Sequence, residues 1–218
     1  MEWLPGPVQD GHRRGHDQNS TRGSRLSYPA SNVGVVDLVY NPRKFAELIL
    51  LVAERLQHDR AGGTTKLNNA LFFIEFTHLR RHQSVVSGCE FQKLPQGPAP
   101  RQSLPVRTEL IRSGEAELVD EGFWGKAQQQ LIPLRPANLE VFTSEELETI
   151  EDVLGDIAGM SGAQISELSH QEPGWRLTEV GETIPLSTAF LGCQQVSTPT
   201  AESLVESVEQ RYGFAASR

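Results

Sequence analysis

The sequence contains few residues whose types and spacing could support catalysis. Ser161 lies in Met160-Ser161-Gly162, which does not match the nucleophile elbow of hydrolases, and it is better placed to cap a helix. The stretch Gly62-Gly63-Thr64-Thr65-Lys66 contains the residue types of a phosphate-binding loop. Its lysine, however, is neither preceded by Gly nor followed by Ser or Thr, so the backbone cradle is not specified. We therefore predict a protein without enzymatic activity and without a bound cofactor.

A second possible chemistry is metal binding. Glu75, His78 and His82 recur at a spacing that brings them to one side of a helix, and all three are metal-ligating residue types. Two neighbouring cations, Arg80 and Arg81, would oppose a divalent ion at that position. We interpret the group as a solvated helix end, where cationic side chains complement the helix dipole, and we predict no metal site.

The charge distribution is informative about partners. The net charge is −8, and residues 113–218 carry 18 acidic and 5 basic side chains. Residues 101–142 could be read as a helix followed by a hairpin, but such a wing would carry only Lys126 and Arg135 as cations. Because phosphate contacts dominate affinity for DNA, we expect no nucleic-acid partner. The acidic half is compatible with a basic protein partner, and equally with a solvated surface that keeps the protein soluble.

Composition limits the cellular setting. The chain has 218 residues, and no apolar run approaches the roughly 18 residues that a membrane-spanning helix needs. Its first residues lack the cationic and apolar regions of a secretory signal. The two cysteines, Cys89 and Cys193, are then read as buried or free thiols in a reducing compartment. These features predict a cytoplasmic protein with no membrane partner.

The chain divides into a tail, a main domain and an extension. Residues 1–32 are rich in Gly, Pro and polar residues, so they cannot bury enough apolar surface to offset their ordering entropy, and we predict a flexible tail. We place the main domain at 33–195 and a C-terminal helical extension at 196–218. Within that extension, Leu204, Val205 and Val208 recur at helical spacing over residues 200–212.

Capping residues and apolar periodicity predict that helices dominate the main domain, giving a mainly α protein with a small β element (α+β). The predicted helices start at Asn41-Pro42, at Thr64 or Thr65 (ending near His82), at Arg101, after Thr143 (ending near Gly159) and at Ser161. Strand-like pieces around Leu131-Ile132 and Leu139–Phe142, with Pro136-Ala137-Asn138 between them, predict a short hairpin. Three prolines between Pro95 and Pro100 predict a stiff, exposed loop.

Two segments resemble a known family. The first is Lys66-Leu67-Asn68-Asn69-Ala70-Leu71-Phe72-Phe73-Ile74-Glu75-Phe76, followed by Leu94-Pro95-Gln96-Gly97-Pro98; the second is Leu168-Ser169-His170-Gln171-Glu172-Pro173-Gly174-Trp175. A Lys-Leu helix rich in aromatic residues, a later Gly-Pro loop and a late Ser-His with Trp together resemble the Panacea domain of SocA-like antitoxins. The resemblance covers roughly residues 42–190. Asn69 departs from the family pattern, in which we expect a second Lys.

The resemblance implies a compact, helix-rich domain that neutralises an unrelated cognate protein toxin of a bacterial toxin–antitoxin pair by direct binding. An alternative function is that of an adaptor that delivers a client toxin to a cytoplasmic protease. The sequence identifies neither the toxin nor the oligomeric state.

Partner-binding residues are predicted at two places. A stiff loop lowers the ordering cost of binding, which points to Lys93, Gln96, Gly97, Pro98 and Arg101, although the loop could instead only route the chain around the core. Tryptophan is frequent at binding hot spots, which points to Trp175 with His170. For that pair we favour burial of Trp175 in the core, with His170 bonded to the backbone. Lys66 is expected to pair within the fold.

Overall fold

The computed structural model of the chain describes residues 39–59, 62–123 and 126–191, with the side chains of residues 121–128 left out. The predicted tail, the predicted helix at 200–212 and Cys193 lie outside these residues. No helix in the described ranges is long and apolar enough to cross a membrane.

Helices make up most of the described chain, and a small amount of sheet accompanies them, which confirms the predicted fold class. The helices are α1 (Pro42–Leu56), α2 (Thr64–His82), α3 (Ser103–Arg112), α4 (Ser144–Asp156), α5 (Gly162–His170) and α6 (Pro173–Leu177). The strands are β1 (Phe91–Leu94), β2 (Gly97–Pro100), β3 (Ala116–Phe123), β4 (Lys126–Pro133) and β5 (Thr183–Ile184). Short 3-10 turns occur at Leu139–Val141 and Leu186–Phe190.

Helix α2 lies at the centre of the core. It packs against α1, α4, α5 and β2, and most of its residues are buried, including Phe72 and Phe76. The two rings contact Phe91 of β1 edge-on, with centroids 5.4 and 6.1 Å apart. Aromatic pairs in this arrangement add to the stabilisation that burial provides. The prediction that α2 is capped by a threonine is wrong, because Gly63 is the N-cap and offers no side chain.

Three other helices begin as their capping residues predict. Asn41 accepts a hydrogen bond from the backbone N of Lys44, and a proline occupies the first turn of α1. Thr143 and Ser161 each form a complete capping box, the first with Glu146 and the second with Gln164. These local bonds satisfy backbone donors that would otherwise be unpaired, which explains why the helices start at these residues.

Two separate antiparallel sheets make up the β element. The first has the order β2–β1–β5, and the second is the β3–β4 hairpin, in which Leu118 pairs with Leu131. The strand-like piece predicted at Leu131-Ile132 lies in β4, but the predicted turn at 136–138 and the predicted second strand at Leu139–Phe142 are wrong. Residues 139–141 form a 3-10 turn, because the side chain of Asn138 accepts from the backbone N of Glu140 and starts that turn.

The predicted exposed loop between Pro95 and Pro100 is also corrected. Only Pro95 and Gln96 are exposed, and Gly97–Pro100 is a buried edge strand. The backbone N of Arg101 donates to the carbonyl of Glu90. In this register the backbone nitrogens of Pro98 and Pro100 point away from β1. The missing N–H groups of the two prolines therefore remove no hydrogen bond between the strands.

Candidate partner-binding surface

The turn between β1 and β2 is fixed to two helices by its backbone. The carbonyl of Gln96 accepts from Ser166 Oγ at 2.6 Å and from Asn69 Nδ2 at 3.2 Å. Gly97 has φ +111°, and a Cβ on it would lie 2.5 Å from Asn69 Oδ1. The contacts of Gln96, Gly97 and the buried Pro98 thus serve the fold, and the departure at Asn69 from the expected lysine provides one of them.

Two predicted residues near this turn bind the segment that precedes β5. Lys93 Nζ donates to the carbonyl of Thr178 at 2.7 Å. The exposed Arg101 donates from Nε to Thr183 Oγ1 at 2.8 Å and from Nη2 to the carbonyl of Gly181 at 2.9 Å. Neither cation forms an ion pair within the described ranges. Both side chains therefore attach the residues around β5 to the small sheet through neutral oxygen acceptors.

Lys93, Trp175 and His170 come together although the sequence separates them widely. Lys93 Nζ lies 3.9 Å from the centroid of the Trp175 ring, a cation–π contact. The His170 and Trp175 rings stack with centroids 3.9 Å apart and an interplanar angle of 18°. The expectation that His170 bonds to the backbone is wrong for Nε2, which is buried without a hydrogen-bond partner, as is Trp175 Nε1. Trp175 is half-buried and packs against the hydrophobic core.

Exposed apolar side chains lie beside this cluster. Leu177 and Val180 are 72% and 63% exposed. They flank Thr178 and Gly181, whose backbones hydrogen-bond to Lys93. We call the group of Lys93, His170, Trp175, Leu177 and Val180 the Lys93–Trp175 surface. Sequence reasoning missed Leu177 and Val180, because no apolar periodicity marks them as a patch.

Lys66 pairs within the fold, as predicted. It is completely buried, and its Nζ donates to Asp59 Oδ2 at 2.6 Å and to the carbonyl of Met160 at 2.7 Å. These bonds join the chain before α2 to the chain before α5. A lysine engaged in this way stabilises the junction, and the neighbouring Ser161 serves as a helix cap.

The residues considered as metal ligands have separate roles. The Glu75 carboxylate accepts from the backbone N of Ser87 and of Val86, and also from Ser87 Oγ. His78 Nδ1 lies 3.1 Å from Thr149 Oγ1, and Nε2 lies 3.2 Å from Ser84 Oγ. His82 is exposed and its ring stacks on that of His78. No group of three or more potential ligands occurs within the described part of the chain.

The hydrogen bonds of His78 fit a neutral imidazole. Thr149 Oγ1 donates to the carbonyl of Glu145, so it is able to accept from His78 Nδ1–H. Ser84 Oγ lies within hydrogen-bond distance of Nε2 and donates to it when the ring is neutral. Burial, followed by the charge of His82, lowers the pKa of His78 below its usual value of 6.5.

Stability should therefore fall on acidification. The contribution of neutral His78 to the free energy of unfolding is fully present above about pH 6.5. It is lost as the pH falls towards the lowered pKa of His78 in the folded state, because the unfolded chain binds the proton more readily. Thermal unfolding between pH 7.5 and 5 measures this loss. A His78→Gln variant should show a shallower pH dependence, and a control variant, His82→Gln, should keep most of it. Equal slopes for the two variants would contradict the assignment.

The protein is small and mainly helical, and it brings aromatic, cationic and aliphatic side chains together on one surface. Residues 67–176, half of the chain, match the family model described as "Antitoxin SocA-like, Panacea domain". The chain belongs to this family, which confirms the resemblance and supports an antitoxin role in general. Comparison with curated proteins and with solved structures gave no match.

Proposed function

We propose that this protein neutralises a cognate protein toxin by binding it directly, and that the toxin contacts the Lys93–Trp175 surface. The observation that carries the proposal is the match of residues 67–176 to the SocA-like antitoxin family. Membership in an antitoxin family implies a protein toxin as partner. It also supports action by binding, without turnover of a substrate.

The properties of the surface support its choice as the toxin-binding site. Trp is enriched among the few residues that supply most of the affinity in interfaces, and here it is held in place by a cation on its ring and a stacked imidazole. The rigid Trp175 ring therefore loses little conformational entropy on binding. Leu177 and Val180 expose apolar area that binding would remove from water, at about 25 cal/mol per Å². Lys93, without an acidic partner in the described ranges, favours a carboxylate of the toxin near the centre of the interface.

Replacing both Leu177 and Val180 with Asp should weaken toxin binding about 30-fold or more, which corresponds to about 2 kcal/mol, the scale of a hot spot. The two residues are exposed, so the change should leave the fold intact. The measurement is titration calorimetry with the product of the neighbouring gene, identified as the toxin by growth arrest on expression. Leu134→Asp is the matched control, since Leu134 is 55% exposed outside this surface. Unchanged affinity of a folded double variant would place the interface elsewhere.

Inhibition by binding is also stoichiometric. Toxin activity should fall in proportion to added antitoxin and reach zero near an equimolar ratio. Complete inactivation at a hundredfold lower amount, without added protease, would contradict a mechanism of binding alone.

A further inference from the structure

Helix α3 exposes an apolar face that nothing in the described part of the chain covers. Only Ser103 and Leu110 of its ten residues are buried. Leu104 and Ile111 are 72% and 39% exposed. They are seven residues apart, two turns of helix, so they lie on the same side. The helix thus has one side packed on α1 and β3 and another that meets solvent.

Arg107 lies on α3 between Leu104 and Ile111, and no counterion for it occurs in the part of the chain that the structure describes. Its Nε is buried without a hydrogen-bond partner, and it forms no ion pair among the described residues. Burial lowers the pKa of this guanidinium, which reflects the cost of removing its charge from water. One turn earlier, Ser103 Oγ is also buried without a partner. An unpaired, partly desolvated arginine beside exposed aliphatic side chains is complementary to a carboxylate flanked by apolar residues.

The chain itself contains such a sequence. Twenty-seven residues follow Leu191, and residues 200–212 combine apolar and acidic positions. The apolar residues are Leu204, Val205 and Val208, and the acidic ones are Glu202, Glu206 and Glu209. The acidic residues of this stretch are opposite in charge to Arg107 of α3. Its apolar residues recur at helical spacing and suit the exposed apolar face of α3.

The segment is long enough to reach α3. Arg101, two residues before the start of α3, bonds to Thr183, and only seven residues lie between Thr183 and Leu191. The nine residues 192–200 can span about 30 Å when extended, which is comparable to the width of a small domain. Because the segment is tethered, its effective concentration at α3 is high, and a modest interface is sufficient for docking.

We propose that residues 200–212 dock on the exposed face of α3, where a carboxylate of Glu202, Glu206 or Glu209 pairs with Arg107 and the apolar side chains cover Leu104 and Ile111. This contact is internal to the chain, and it does not depend on the toxin or on the Lys93–Trp175 surface.

The test is a thermodynamic cycle that combines Arg107→Gln with removal of residues 192–218. In the full chain, Arg107→Gln should lower the thermal unfolding midpoint by about 2–4 °C, the shift expected for loss of one charge-assisted contact. In the shortened chain the same change removes an unpaired, desolvated cation, so the midpoint should stay unchanged or rise. Arg112→Gln is the control on the same helix, since Arg112 pairs locally with Glu109, and its effect should be equal in both lengths.

Should the shortened chain fail to fold, the full chain with Glu202, Glu206 and Glu209 all replaced by Gln takes its place in the cycle. Equal effects of Arg107→Gln in both backgrounds would overturn the proposal. The proposal is equally overturned if sedimentation shows a dimer of the full chain that Arg107→Gln dissociates, because the occupant is then a second copy. Weaker toxin binding by Arg107→Gln, without coupling to the C-terminal segment, would identify the toxin as the occupant and also overturn it.

Discussion

Replacing Gly97 with Ala should destabilise the protein by about 3–5 kcal/mol, the sum of backbone strain and overpacking at one position. The φ of Gly97 is +111°, a conformation that residues with a side chain rarely adopt. An added Cβ would also lie 2.5 Å from Asn69 Oδ1 and 2.8 Å from Ser169 Oγ. Both neighbours are buried on helices, so neither can move without disturbing α2 or α5.

A matched glycine separates strain from crowding. Gly114 also has a positive φ, +73°, but a Cβ there would meet nothing within 4 Å. Gly114→Ala should therefore cost only about 1 kcal/mol, the penalty for a left-handed conformation. Urea-induced unfolding of the two variants measures the difference. Similar losses for both would show that the packing of the β1–β2 turn against α2 and α5 is less tight than the structure indicates.

The sequence was sufficient to predict elements that are determined by neighbouring residues. Asn41, Thr143 and Ser161 each satisfy backbone donors within three residues, so the starts of α1, α4 and α5 could be predicted without knowledge of the rest of the fold. The pairing of Lys66 was also expected, because a lysine in the first turn of a core helix has to bond to something when it is buried.

Elements that depend on distant residues were missed or, as for Leu131-Ile132 of β4, predicted only in part. The strands Ala116–Phe123 and Lys126–Pro133 contain several Glu, Asp and Gln residues and few β-branched ones, so their local preference for strand is weak. Pairing with each other stabilises them instead. Similarly, Gly97–Pro100 forms an edge strand because Glu90 and β1 position it and α2 covers it, in spite of two prolines in four residues.

The candidate binding surface shows the same limit. The stiff loop pointed to Lys93, and the frequency of tryptophan at hot spots pointed to Trp175 with His170, but no rule of spacing joins Lys93 to a tryptophan far along the chain. That contact depends on the antiparallel pairing of β1 with the short and distant strand β5, which brings residues 178–183 beside Lys93. Leu177 ends α6 and Val180 lies between α6 and β5, and their exposure could not be predicted without knowledge of how those elements pack.

A second large loss of stability is expected at Glu75, which is wholly buried on α2. Its carboxylate binds the backbone N–H groups of Val86 and Ser87, at 2.9 and 2.7 Å, in the segment that leads to β1. Burial raises the pKa of this carboxyl, while the hydrogen bonds from Ser87 and Val86 act in the opposite direction. Glu75→Ala should cost about 3–5 kcal/mol, since two buried donors lose their acceptor at about 1–3 kcal/mol each.

The same change should have a local signature that a general loss of packing would not produce. Amide hydrogen exchange of Val86 and Ser87 should accelerate more than exchange in the middle of α1, because only the former lose their hydrogen-bond acceptor. Glu148→Ala is the control, since Glu148 is exposed on α4, and its cost should stay below about 0.5 kcal/mol. If Glu75→Ala is as mild as this control, the segment before β1 must be held by contacts other than the carboxylate. If exchange rises equally throughout the protein, Glu75 acts on global stability alone, and the segment it binds is not an independent unit.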